Sequence, residues 1–188
     1  MICIKMRASF IILGKFLMSS AQTEVDILDI AILGLYEAGK STFIDTISQR
    51  TAHRGTGLAS WYYGQVDVDP TLTLQFTEPP SDRRFDFIWL RDLIESLDAS
   101  GYIVMVDSTK PETFGEFISV LYTIRAHHLD VPVMVAANKQ NHFRAWSTND
   151  LRVMLRIDEA VPIMPCIATD FEVVKNVTLR LMYQIFDG

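Results

Sequence analysis

The chain has 188 residues, 49% of them hydrophobic and 21% charged, with a formal net charge of −6. That length and composition allow one folded domain with a sizeable core, and the acidic balance argues against a general nucleic-acid binder, which needs a basic surface. Cys3 and Cys166, the two cysteines, make neither a zinc site nor a disulfide framework, which fits a reducing, cytoplasmic setting.

Residues 1–17 (MICIKMRASFIILGKFL) are basic and apolar and look foreign to the rest of the chain. A start at Met18 is the favoured reading; a peripheral tail and a secretion signal are the others. The apolar run is interrupted by Lys15 and is too short to span a membrane. Residues 1–24 are therefore expected to be an extension, with the folded domain over 25–188.

From there, apolar runs of strand length alternate with helical patterns. Ile27–Leu33 is the first expected strand and Thr42–Gln49 the first helix. Tyr63–Asp69 and Leu72–Thr77 read as a hairpin around Asp69-Pro70-Thr71. Phe87–Leu97 has helical spacing. Tyr102–Asp107 (YIVMVD) is apolar almost throughout, as a buried parallel strand should be. Pro111 opens a helix to about Arg125, with Asp107, Ser108 or Thr109 as cap. Val131–Ala137 is a strand, Thr148–Leu155 a helix capped by Ser147 or Thr148, Val161–Ile167 a strand and Asp170–Phe186 a helix. This alternation predicts an α/β fold with a mostly parallel sheet.

The most specific motif lies between the first strand and first helix. Residues 34–41 read Gly-Leu-Tyr-Glu-Ala-Gly-Lys-Ser, matching G-x-x-x-x-G-K-[ST] in the strand–loop–helix context that the pattern needs. Two glycines let the loop curl its N–H groups inward as an anion nest, and the helix start adds positive potential. Gly34, Glu37, Ala38, Gly39, Lys40, Ser41 and Thr42 are thus the expected phosphate contacts. Lys40 should reach the β- and γ-phosphates and the Ser41 hydroxyl should ligate Mg²⁺. Ligands of such sheets sit beyond the carboxyl ends of the strands. Glu78–Asp82, Asn138 and Ala168 all follow strands at that same edge.

Asn138-Lys139-Gln140-Asn141 resembles the N-K-x-D base-reading element of Ras-like small GTPases, and Ile167-Ala168-Thr169 resembles their S-A-x element. The order and spacing are those of a small GTPase over roughly residues 25–187. The resemblance implies a P-loop NTPase with a six-stranded sheet, GTP or GDP with Mg²⁺ as ligands, and base contacts from Asn138, Lys139, Asn141, Ala168 and Thr169. The stretches Tyr63-Gly64-Gln65-Val66, Leu72–Phe76 and Arg84–Trp89 look most like the bacterial MglA-type group, whose regulator is a Roadblock/LC7-type protein.

Departures from the pattern bear on mechanism. Where a switch glycine and a water-orienting Gln are expected, the chain reads Thr77-Glu78-Pro79-Pro80-Ser81-Asp82-Arg83. Proline has no N–H to offer a γ-phosphate. Glu78 or Asp82 could orient a water or hold Mg²⁺ through one. Thr56 is a candidate Mg²⁺ ligand from the first switch. Arg54 and Arg83 are candidate transition-state arginines, a role worth roughly 10³–10⁵ in rate. Asn141 stands where a carboxylate would accept from guanine N1–H and the 2-amino group. An amide offers one acceptor and one donor, so guanine selectivity should weaken and xanthine would suit it better. Trp61, Tyr62 and Tyr63 are either a docking patch or partly buried strand residues. Together these features predict a slow GTP-hydrolysing switch, or a nucleotide-binding interaction protein that does not hydrolyse. No basic lid follows Thr42, which disfavours a small-metabolite kinase.

Overall fold

The computed structural model describes residues 25–55, 60–80 and 87–187. Thr56, Asp82, Arg83 and Arg84 lie outside the described residues, as does the extension over 1–24. The elements run β1 (Asp26–Gly34), α1 (Lys40–Ile47), β2 (Arg50–Arg54), β3 (Trp61–Asp69), β4 (Leu72–Glu78), α2 (Phe87–Ser96), β5 (Gly101–Asp107), α3 (Phe114–His127), β6 (Val133–Asn138), α4 (Thr148–Met154), β7 (Ile163–Pro165) and α5 (Phe171–Asp187).

The described strands form one sheet in the order β2-β3-β4-β1-β5-β6-β7. β1 pairs in parallel with β4 and β5, and β5, β6 and β7 continue in parallel. β3 runs antiparallel to both β2 and β4. Every residue of β5 and β6 is buried, because helices cover both faces there. One core packs α1 and α5 on the sheet through Phe43, Ile44, Val174, Val177 and Leu181. The other packs α2 and α3 through Leu90, Ile94, Phe117 and Ile124.

Three expectations need correction. The sheet has seven described strands rather than six, because β2 forms an extra edge. All five β2 residues are exposed, so no apolar alternation marks the strand; backbone pairing with β3 defines it. The helix expected to reach Gln49 ends at Ile47, and the Gln49 N–H donates to the Gln65 carbonyl at 2.9 Å, leading the chain into the edge. Pro111–Thr113 forms a 3₁₀ turn before α3, and no side chain caps that helix. Asp107 bonds the Thr109 amide and hydroxyl instead, at 3.0 and 2.7 Å.

Two local expectations hold. Ser147 caps α4, accepting from the Asp150 N–H at 3.2 Å. The β3–β4 hairpin closes on the Asp69 carboxylate, which accepts from the Thr71 and Leu72 N–H groups at 2.7 and 3.0 Å.

Phe43 is fully buried under the sheet, edge-on to Phe76 with ring centres 6.4 Å apart. Phe43→Ala removes that packing and leaves a cavity, and is expected to cost about 3–5 kcal/mol in a denaturant unfolding curve.

Candidate functional site

Since β1, β4, β5, β6 and β7 run in parallel, their carboxyl ends share one edge of the sheet. Gly34 and Glu78 end β1 and β4, while Asp107 and Asn138 end β5 and β6. The loop from Gly34 to Gly39 alternates hand, with positive φ at Gly34 (141°), Glu37 (63°) and Gly39 (99°). A Cβ on Gly34 would lie 2.4 Å from the Met105 carbonyl oxygen, and one on Gly39 would lie 2.2 Å from Asn138 Nδ2. Both positions demand glycine on two counts, backbone angle and space.

Gly39 stands at the N-cap of α1, whose first turn carries no acidic side chain. Its leading N–H groups have no carbonyl within the helix to bond. They lie along a cavity of about 580 Å³. The phosphate-loop wall comprises Tyr36, Glu37, Gly39, Lys40, Ser41 and Thr42, with Glu78 beside it. The opposite wall is Asn138, Lys139, Asn141, Ile167, Ala168 and Thr169. Of the candidate nucleotide contacts, Gly34 and Ala38 are not part of the lining; they shape the loop beneath it.

Asn138 ties the two walls together. It is 3% exposed. Its Nδ2 donates to the Ala38 carbonyl at 2.8 Å, and its Oδ1 accepts from the Ala168 N–H at 2.9 Å. Thr46 on α1 adds a bond to the Ala168 carbonyl at 2.7 Å.

Lys40 is 4% exposed. Its ammonium donates to the Leu35 carbonyl at 2.9 Å and stands 3.6 Å from the Glu78 carboxylate. Burial lowers its pKa, against the opposing pull of Glu78. Ser41 Oγ donates to Glu78 at 2.7 Å. The sequence leaves Glu78 and Asp82 as alternatives; Glu78 meets the lysine and serine of the 34–41 loop, while Asp82 lies outside the described residues. Ser41 and Glu78 are adjacent hard oxygen donors, a set that fits Mg²⁺, which takes few protein ligands.

Sequence position suggests Asp107 only as a helix cap, yet it receives the Lys139 ammonium at 2.6 Å. Lys139 has positive φ (66°). Burial pushes the Asp107 carboxyl up, but hydrogen bonds from Lys139 and Thr109 outweigh it and the net direction is down. The signal in the sequence is the lone acid closing the apolar strand YIVMVD. Glu37 is likewise held by Lys110 at 2.8 Å, which raises the lysine's pKa. Cys166 is buried and its thiol is pushed up to about 12, so it stays protonated.

Arg54 does not join the site. It is exposed on β2 with its guanidinium 5.2 Å from the centre of the Tyr63 ring, and it is not part of the cavity lining. The neighbouring aromatics are half-buried and make contacts within the chain: Tyr62 donates to the Asp45 carboxylate and stacks on His53, and Trp61 stacks on Tyr63.

The fold is the α/β fold of small GTPase G domains, a mixed, mostly parallel sheet with flanking helices. The Arl6 (BBS3) small GTPase of Trypanosoma brucei, solved with the bound nucleotide analogue GppNp, matches with a TM-score of 0.69 and 17% identity, covering 86% of this chain and 99% of that one. The G domain of the T. maritima FeoB iron transporter matches with a TM-score of 0.63 and 14% identity, covering 85% and 99%. No protein-family model and no curated protein matches the sequence. Among the described residues no helix is long and apolar enough to cross a membrane.

Asn138→Ala removes both bonds of the tie and leaves a buried carbonyl and N–H unpaired. It is expected to destabilise the fold by about 2–4 kcal/mol in chemical denaturation. The Asp107 carboxyl has a folded-state pKa below that of the unfolded chain. Its contribution is therefore complete above about pH 4 and is lost as pH falls through the folded value. Asp107→Asn is expected to flatten the acid limb of the stability–pH curve.

Proposed function

We propose that the chain is a guanine-nucleotide-dependent switch with slow GTP hydrolysis. One observation carries the reading: the loops at 34–42, 138–141 and 167–169 converge on a single cavity at the carboxyl edge of the sheet. The phosphate-loop amides, Lys40 and the α1 N-terminus provide an anion cradle. Asn138, Lys139, Asn141, Ala168 and Thr169 offer donors and acceptors suited to a base. The fold match that carries a bound nucleotide analogue supports the same assignment.

Ser41 and Glu78 would hold Mg²⁺, with Thr56 the candidate from the first switch. Held there, the ion would supply positive charge to neutralise the phosphates. Slow turnover is expected from the chain's own residues: Glu78 is succeeded by Pro79 and Pro80, neither of which has an N–H to offer a terminal phosphate. The same feature favours a second reading, a nucleotide-binding interaction protein without hydrolysis. Multiple turnover above the rate in buffer, measured with and without partner, separates the two. The sequence likeness to the MglA-type group makes a Roadblock/LC7-type protein in the cytoplasm the partner to test first. Partner affinity should differ between GTP- and GDP-loaded forms, because a ligand that does not discriminate shifts no equilibrium.

The nucleotide that copurifies with the full chain, identified chromatographically against guanosine, adenosine and xanthosine standards, tests occupancy and base together. Lys40→Ala is expected to weaken binding about 10- to 100-fold, the value of a charged hydrogen bond; undiminished retention overturns the reading. Asn141→Asp is expected to tighten GDP about 10-fold and to weaken xanthosine diphosphate, as the amide donor is exchanged for a second acceptor.

A further inference from the structure

The anion cradle carries an acid within its own loop. Glu37 is the acidic residue of the 34–41 stretch, sits at its left-handed turn (φ 63°) and lines the cavity. A carboxylate there repels the phosphates that the surrounding amides attract. Its side chain meets the Lys110 ammonium at 2.8 Å. Lys110 is 73 residues further along the chain and is not part of the cavity lining.

The turn after β5 holds Lys110 in place through its backbone. Its N–H donates to the Asp107 carbonyl at 3.2 Å. Its own carbonyl accepts from the Thr113 N–H at 3.0 Å and the Thr113 hydroxyl at 2.7 Å. The side chains of the pair are 35% exposed at Lys110 and 56% at Glu37. An ion pair so open to water adds little to the stability of a fold. Its consequence lies instead in the charge that the loop presents to an anion.

We propose that Lys110 is a positioning residue for phosphate binding: from outside the cavity it cancels the Glu37 carboxylate, so that the loop meets its ligand without a net negative charge of its own. Lys110 acts through Glu37 and not by touching the ligand. Neutralising the lysine exposes the carboxylate to the phosphates. Neutralising the glutamate releases the lysine's charge in their favour. Removing both charges leaves the balance as it was. This inference rests on the nucleotide reading above.

The test uses the full chain, stripped of nucleotide and titrated with a fluorescent GDP analogue in Mg²⁺, at about 0.01 M and about 1 M salt. Lys110→Met is expected to weaken binding about 5-fold in low salt and less than about 2-fold in high salt, where the charges are screened. Glu37→Gln, whose amide oxygen can still accept the lysine's bond, is expected to tighten binding about 5-fold in low salt. The double variant is expected within about 2-fold of wild type, and Lys110→Arg is expected to match wild type. Unfolding midpoints of all four variants should stay near that of wild type. Lys110→Met binding like wild type in low salt overturns the inference, as does a loss that salt does not diminish. Weaker binding by Glu37→Gln also overturns it, since the pair is then a mechanical tie of the loop. If wild type binds no nucleotide, the nucleotide reading itself fails; wild-type binding that the variants merely reproduce removes this inference alone.

Discussion

The site depends on the side-chain amide of Asn138. It sits at the end of a fully buried strand and spends both ends of its amide on backbone, one on the phosphate loop and one on the loop after β7. Those loops are far apart in sequence, and each is irregular. An irregular loop keeps its shape only when its polar groups are met. By pairing the Ala38 carbonyl and the Ala168 N–H with one side chain, the chain fixes the two walls relative to each other. The close approach this needs, 2.2 Å from Nδ2 to a notional Cβ, is why position 39 has none.

Electrostatics adds a second constraint. Burying Lys40 is costly and lowers its pKa, and Glu78 offsets part of that cost. Breaking such a pair from one side leaves a buried charge uncompensated, which destabilises more than the pair itself stabilises. The Glu37–Lys110 pair works at longer range in sequence: it fastens the strained turn of the phosphate loop, at φ 63°, to the segment after β5. The lining of the cavity and the rigidity of its loops here draw on the same few side chains.

Much of this is legible in the amino-acid sequence. The phosphate loop can be read because its chemistry needs glycines at fixed spacing and a Lys-Ser pair at a helix start. The buried strands β1, β5 and β6 can be read because near-continuous apolar runs have few other uses. The edge strand cannot: Arg50–Arg54 has no apolar face, and only its pairing with β3 makes it a strand. Asp107 reads as a helix cap because its neighbours in sequence are cap-like, whereas its partner Lys139 lies 32 residues away. Sequence proximity favours the wrong bond. Glu78 is visible in the sequence as a carboxylate after a strand, but that it ends β4 and meets Ser41 is visible only in the fold.

The edge strand has a consequence for colloidal behaviour. β2 ends the sheet order, so its outer row of amides and carbonyls faces no described strand. Such a rim invites a second chain to add on and start a fibre. Its composition works against that. Arg50, His53 and Arg54 occupy three of its five positions, and two copies of the rim brought together would set guanidinium against guanidinium. The same lack of apolar pattern that hides the strand from sequence reading thus guards the protein against self-stacking.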